Sequence, residues 1–431
     1  MQREQQMAQL VFTTHGSSGD LNPFLALGVG MQARGHTVRF ALSPPLAALA
    51  EQAGFDVYPL AADAPLTAQE AVYAQGSSVG SLKAAVQQAI LPTLRQKVDD
   101  LRAACDHADL LVAASLQLPA SFVADETGIP WASVAVAPLA LPSSQFSPSP
   151  LPFAPVPLRP LMNQIAWRVG AQLLRPIADP AVNALRADRG LQPRRDLLLT
   201  GNLSPDLIAV AVSPAFMPEP PDWPPHARTT GFCFWDTPGD WQAPPELSAF
   251  LEQPGPIVAV SSGSQSLDVR GAFAAFYRTS VEAVHQAGAR ALVLGAQPGT
   301  VAGSSADTLT LSYAPFSAIY PRCVAVIHHG GIGTTAQALR AGVPMLIAPW
   351  GFDQFFIGDR VAQLGAGQSI SRRQYVTRRV AAHLRALIED PSYRQRAEQL
   401  SAQIQREDGV GTLCEALEAL LARKGLPSAV T

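Results

Sequence analysis

The residues richest in chemistry run from His328 to Gln354, HHGGIGTTAQALRAGVPMLIAPWGFDQ. Two histidines, His328 and His329, close an apolar run and lead into Gly330, Gly331 and Gly333. Glycines at such a turn let backbone N–H groups approach an anion. A helix starting near Thr334 would add unpaired donors and about half a positive charge. Thr334 and Thr335 bring hydroxyls that either bind phosphate or cap the helix. A histidine beside the turn can donate a charge-assisted hydrogen bond to the same phosphate. A glycine turn beside a histidine satisfied in the core would explain HGG alone. Asp353 and Gln354 tip the balance, because they follow the next apolar run and so fall at the carboxyl edge of the same sheet. A carboxylate next to an amide offers acceptors and donors for neighbouring sugar hydroxyls. Together these residues describe a site for a nucleotide-sugar diphosphate.

Such a site needs a sheet to carry it. LVFTT (10–14), the turn HGSSGD, a helical stretch from about Pro23 to Arg34 and a strand over 38–42 form a β-α-β unit, which builds parallel sheets. DLLVAAS (109–115) and WASVAVA (131–137) continue the strands. A second series begins near Pro256: IVAVSSGS (257–264), ALVLGA (291–296), LTLSYA (309–314), VAVIHHGG (324–331) and MLIAP (345–349), with helices between. Helical runs over 376–389, 392–406 and 412–423 end the chain. Two such arrays predict an α/β protein with two Rossmann-like domains, whose ligands sit beyond the carboxyl ends of the strands, in a cleft between facing sheets. Two stretches interrupt the pattern. Residues 142–160 hold seven prolines and form an irregular excursion, either a plain surface loop or one that faces a substrate. Residues 214–245, also proline-rich, are the expected linker region.

Composition narrows the class. Of 431 residues 48 % are hydrophobic and 15 % charged, with a formal net charge of −3, which argues against both disorder and a nucleic-acid-binding surface. Four scattered cysteines with no C-x-x-C pair fit a reducing compartment and argue against structural zinc. Neither a signal peptide nor a run of about 20 apolar residues is visible, so a cytoplasmic location is expected.

On these motifs the sequence resembles the inverting, GT-B-fold glycosyltransferases of family 1, the UDP-glycosyltransferase superfamily. HHGGIGTT is most similar to the branch holding sterol glucosyltransferases, rhamnolipid-type rhamnosyltransferases and antibiotic glycosyltransferases. The resemblance runs from HGSSGDLNPFLALG to REDGVGTLCEALEALL. It implies an acceptor-binding domain over 1–215, a linker over 216–245, a donor-binding domain over 246–410, and a last helix, 411–431, crossing back to the first domain. Aligned through GVP and DQ, His329 takes the place of the histidine that meets the diphosphate, with Thr334 beside it. Gln337 replaces the glutamate that holds the ribose hydroxyls, and Asp353 and Gln354 fall on the donor-sugar pair, with Trp350 close enough to shape sugar choice. YAPF puts Tyr313 and Phe316 at the nucleobase, although Tyr313 could equally be a core tyrosine at a strand end. Ser262, Gly263 and Ser264 resemble a serine–glycine turn that approaches the diphosphate.

An inverting transferase needs a base to take the acceptor hydroxyl proton. Asp20 occupies the place of the plant catalytic histidine (Gly19-Asp20-Leu21-Asn22-Pro23), and His15 is the other candidate. An aspartate is a weak base near pKa ~3.9 unless burial raises it, and Asp20 could also be a helix N-cap. The plant relay aspartate has no counterpart, since its position is Ala114, followed by Ser115; Asp106 and Asp109 read as ordinary residues at the start of a strand. Phe146, Phe153 and Trp167 suggest a flat or lipidic acceptor, with Gly19 on the acceptor side. No metal or other cofactor is expected. Expected partners are a UDP- or dTDP-hexose, glucose or rhamnose, and a hydrophobic acceptor; peripheral membrane contact and oligomeric state stay open. A non-hydrolysing nucleotide-sugar epimerase and a non-catalytic nucleotide-sugar-binding protein are the alternatives.

Overall fold

The structure is a computed structural model that describes residues 7–62, 80, 83–84, 86–147, 156–235, 241–263, 273–296, 299–301, 305–351 and 353–426. The chain divides into two compact units, Met1–Trp235 with Asp408–Thr431, and Asp236–Glu407.

The first unit runs β1 (Gln9–Thr13), α1 (Ser18–Ala33), β2 (Thr37–Leu42), α2 (Pro44–Gln52), β3 (Asp56–Pro59), α3 (Leu91–Ala104), β4 (Leu110–Ala114), α4 (Leu118–Thr127), β5 (Trp131–Ala135), α5 (Arg159–Asp188), β6 (Leu207–Val210) and β7 (Ala227–Thr229). Its strands are parallel in the order β3-β2-β1-β4-β5-β6-β7. β1 is apolar at successive positions because helices cover both sheet faces. Leu10 and Phe12 join Phe24 and Phe40 on one face, while Val11 joins Leu111 and Trp131 on the other.

The second unit runs α6 (Pro245–Glu252), β8 (Ile257–Ser261), α7 (Ala274–Gln286), β9 (Arg290–Leu294), β10 (Thr308–Leu311), α8 (Phe316–Ile319), β11 (Ala325–His328), α9 (Ile332–Arg340), β12 (Met345–Ile347), α10 (Gln354–Gln363), β13 (Gly367–Ser369), α11 (Thr377–Glu389) and α12 (Pro391–Ile404). Its parallel order is β10-β9-β8-β11-β12-β13. In each sheet the winding reverses beside the first strand, between β1 and β4 and between β8 and β11. Such a switch point opens a crevice at the carboxyl ends of the strands.

The last helix, α13 (Gly409–Arg423), belongs to the first unit and buries Leu413, Cys414, Leu417, Leu420 and Leu421 in the cluster that holds Phe12 and Phe24. Among the described residues no helix is long and apolar enough to cross a membrane.

Two expectations are corrected. Helix α1 starts at Ser18, well before Pro23, because Ser17 and Asp20 satisfy the exposed N–H groups of its first turn. Residues 216–235 are not a linker: they carry β7, pair it with β6, and bury Phe216, Met217 and Phe232 in the first unit.

Candidate active site

In the second unit, strand register sets the site. Ser261 of β8 and Ile347 of β12 both pair with His328 of β11, so the turns after these three strands emerge side by side. The β8 turn presses Gly263 against His329: a Cβ on Gly263 would lie 2.4 Å from Cε1 of that ring, and its φ of +74° suits glycine alone. Gly331 covers another edge of the ring, where an added Cβ would lie 2.8 Å from Nε2. Gly330 has φ +98°, and its Cβ would meet Ile347 at 2.9 Å and Gln354 at 3.2 Å. The glycines therefore let the HGG turn, the β8 turn and the Asp353-Gln354 loop pack together without side chains between them. Ser262 is buried and fixes the β8 turn from below. The Tyr277 hydroxyl donates to the Leu294 carbonyl (3.0 Å) and accepts from the Ser262 N–H (3.0 Å) and Oγ (2.8 Å).

The two histidines do different work. His328 is wholly buried; its Nδ1 accepts from the Gly330 N–H at 3.1 Å and its Nε2 lies 3.4 Å from Met345 Sδ. Burial, reinforced by His329, pushes it down to about 3. It holds the turn from inside and has no nitrogen left for a phosphate, unlike the contact expected of it. Thr335 is likewise interior, its Oγ1 donating to the Gly331 carbonyl at 2.9 Å. His329 is pushed down to about 4 by burial, and its Nδ1 is buried without a hydrogen-bond partner. Beside it, Gly331 caps α9, whose first N–H groups, at Ile332, Gly333 and Thr334, have no partner in their own helix.

Two more buried polar atoms lack partners in this unit's expected site: Gln337 Oε1 on α9 and Trp350 Nε1. Native proteins seldom leave such atoms unpaired, and a ligand is one thing that satisfies them. The Trp350 ring lies 4.4 Å from that of Phe273, and the Arg372 guanidinium sits 4.0 Å over it. Gln354 Oε1 accepts from the N–H groups of Trp350 (2.8 Å) and Gly351 (3.1 Å), so the Gln354 side chain retains its amide N–H donors. Asp353 stands at the start of α10. Tyr313 lies past the end of β10 and is 60 % exposed, which removes the core alternative for it. Phe316 stacks on Tyr320 at 4.6 Å, on a helix that packs beside α9.

In the first unit the HGSSGD turn follows β1 at its own switch point. Asp20 is not an N-cap; it is the third helical residue, and its Oδ2 accepts from the Ser17 N–H (2.8 Å) and Oγ (3.0 Å), while the Gly19 N–H donates to Ser17 Oγ (3.2 Å). His15 lies half-buried just before this turn. Across the crevice β4 ends in Ala114, and Gln117 Nε2 donates to Thr13 Oγ1 at 2.7 Å. Asp109 accepts from the Gln9 N–H at 2.8 Å, the ordinary role expected at the start of a strand.

Residues 10–138 match the glycosyltransferase family 28 N-terminal domain, and residues 292–420 match the erythromycin biosynthesis protein CIII-like C-terminal domain. Over 427 residues the chain is 33 % identical to O-mycaminosyltylonolide 6-deoxyallosyltransferase of Streptomyces fradiae, covering 95 % of this chain and 97 % of that protein. The chain belongs to the family 1 glycosyltransferases. This glycosyltransferase is also 30 % identical over 430 residues to a sterol 3-beta-glucosyltransferase of Aspergillus fumigatus, covering 94 % of this chain but only 29 % of that longer relative. Two solved structures share its GT-B fold. The kitacinnamycin glycotransferase has a TM-score of 0.71 at 21 % identity, covering 96 % of this chain and 99 % of that one. Glycosyltransferase VinC in complex with dTDP has 0.68 at 19 %, covering 96 % and 100 %.

In the second unit of this glycosyltransferase Gly263 and Gly331 lie against the His329 ring, and Gly330 lies against Gln354. Ser264 and Phe153 lie outside the described residues. Phe146 is a core residue and not an acceptor contact: it packs edge-on against Trp223 at 6.4 Å, and its carbonyl accepts from Trp167 Nε1 at 3.0 Å. Sequence reading missed Gln117, Phe273, Tyr277 and Arg372. Gln117 was findable, since it follows a strand at the same sheet edge. The others reach the site from other elements and carry no local signal.

Proposed function

We propose that this glycosyltransferase transfers a hexose, with inversion, from a UDP- or dTDP-sugar to a hydroxyl of a hydrophobic acceptor. The observation that carries the reading is His329: a neutral, buried imidazole with an unused Nδ1, held between two glycines beside the start of α9. In the second unit the α9 N–H groups and His329 would take the charge that develops on the leaving diphosphate, so electrostatic stabilisation there needs no divalent ion. Gln337 Oε1 would accept from a ribose hydroxyl. Asp353 and the Gln354 amide would hold the sugar, with the Trp350 N–H as a further donor. In the first unit Asp20 would act as general base. Its Oδ2 accepts from Ser17, which fixes the carboxylate, and Oδ1 is the oxygen that would take the proton. As that hydroxyl oxygen attacks the anomeric carbon, the proton passes to Asp20 and the bond to the nucleoside diphosphate breaks. His15 is the alternative base.

The test combines a donor panel with two variants. UDP, dTDP, UDP-glucose and dTDP-rhamnose are compared by thermal shift without metal, since a ligand that binds only the folded state raises its stability. His329→Ala should lose the shift that the parent shows. Asp20→Asn keeps an oxygen for the Ser17 N–H and should abolish transfer while leaving nucleotide binding intact. Full turnover in that variant would move the base to His15. Turnover lost on adding EDTA would overturn the metal-free assignment.

A further inference from the structure

Helix α5 packs through one side only. Asn163 Nδ2 donates to the Ser144 carbonyl (2.8 Å) and Trp167 Nε1 to the Phe146 carbonyl, while Ile177, Ala178 and Val182 enter the core of the first unit. The opposite side of its first four turns, with Leu158 just before them, is apolar as well: Leu158, Leu161, Met162, Ile165, Val169 and Leu173 are each between 38 % and 56 % exposed. At 3.6 residues per turn these six fall within an arc of about 120°, centred opposite the buried side. Arg168 lies just beyond one border of the arc and Arg159 just beyond the other. The segment 156–175 contains no aspartate or glutamate and three arginines, of which Arg175 is paired with Asp196 at 2.6 Å.

The geometry points to α5 as an interfacial helix that lays this apolar stripe on an anionic membrane surface. Its apolar side chains enter the boundary between headgroups and acyl chains, and exposed Arg168 at the border reaches outward to lipid phosphates. A second copy of the chain is a poorer occupant. Pairing this face about a two-fold axis sets arginine against arginine with no carboxylate from the segment to match them. The stripe is too interrupted by polar residues to cross a bilayer, so the contact lies on the surface. An enzyme docked in this way would take its acceptor at the membrane surface, whichever nucleotide-sugar it uses.

The experiment is flotation of the full chain with vesicles of phosphatidylcholine alone and with about 30 mol % phosphatidylglycerol, where each basic residue near the surface counts for roughly a fivefold change in binding. The chain should float with the anionic vesicles, weakly or not at all with the neutral ones, and be released as salt rises. Ile165→Glu combined with Val169→Glu should abolish flotation, and Arg168→Glu should weaken it by more than about fivefold, because the charge is reversed. All three positions lie outside the packed side of the helix, so circular dichroism melts of the variants should match the parent. No flotation with anionic vesicles, or flotation undiminished when Ile165→Glu and Val169→Glu are combined, overturns the proposal. A concentration-dependent dimer in sedimentation velocity that the same substitutions dissolve, without vesicle binding, assigns the stripe to a second copy instead.

Discussion

A buried imidazole with an idle nitrogen costs stability, and His329 is kept in that state beside a wholly buried His328. Against an ordinary value of 6.5, burial holds them neutral down to about 4 and about 3. Below pH 6.5 the unfolded chain binds protons at these two positions that the folded chain refuses. Their contribution to stability is therefore complete above about 6.5 and drains away as the pH falls through about 4 for His329 and about 3 for His328, by a few kcal/mol. The melting temperature should fall over that window, and His329→Gln should flatten the fall; a profile unchanged by the substitution would contradict the burial argument. His329→Ala should weaken nucleoside diphosphate binding about tenfold or more, the worth of one hydrogen bond to a charged group, as read by calorimetry. Residue types alone mark this pair as chemical without telling the two apart, and the resemblance that singles out His329 gives no physical reason for the choice. The strand end supplies that reason: His328 is the last paired residue of β11 and faces the core, and His329 is the first beyond it.

At the level of elements, the site is made by three strand ends in register and by the glycines that let their turns touch. Gly263→Ala should force the His329 ring aside and add backbone strain of about 1–3 kcal/mol, lowering nucleotide affinity more than it lowers the melting temperature. Gly330→Ala carries the same kind of strain and two contacts in addition, with Ile347 and Gln354, so it should disturb the sugar-holding loop as well. A donor affinity within about twofold of the parent in both variants would mean that the turns rearrange freely, since strain of that size predicts a larger loss. The strands that carry these turns were legible because parallel strands covered on both faces are continuously apolar. The short or half-exposed strands β3, β7 and β13 were not, since three or four residues with one wet face leave no pattern. The start of α1 was missed because Pro23 reads as an N-terminal residue, whereas the Ser17–Asp20 capping box had already begun the helix.

Over the whole molecule, chain order and folding units part company. The first unit is closed by a segment that follows the second unit in the chain: α13 enters its core through Leu413, Leu417, Leu420 and Leu421, and Glu418 meets His36 at 3.4 Å and Arg34 at 3.6 Å. The second unit is continuous and has a separate core built on Val258, Val260, Leu346 and Leu384. A fragment of residues 236–407 should therefore fold alone, melt cooperatively and bind a nucleoside diphosphate, since every donor-side residue described above lies within it. A fragment of residues 1–235 should not fold stably, because removing α13 uncovers the apolar side of α1 and the sheet beneath it. Within the intact chain Leu417→Ala should cost about 2–5 kcal/mol, with the loss read in the first unit only. Nucleotide binding by the intact chain should survive that substitution at temperatures below its lowered melting point. Should the 1–235 fragment fold unaided, or the 236–407 fragment fail to, the units are not the independent cores that their contacts describe, and the donor site would have to be regarded as a property of the full chain.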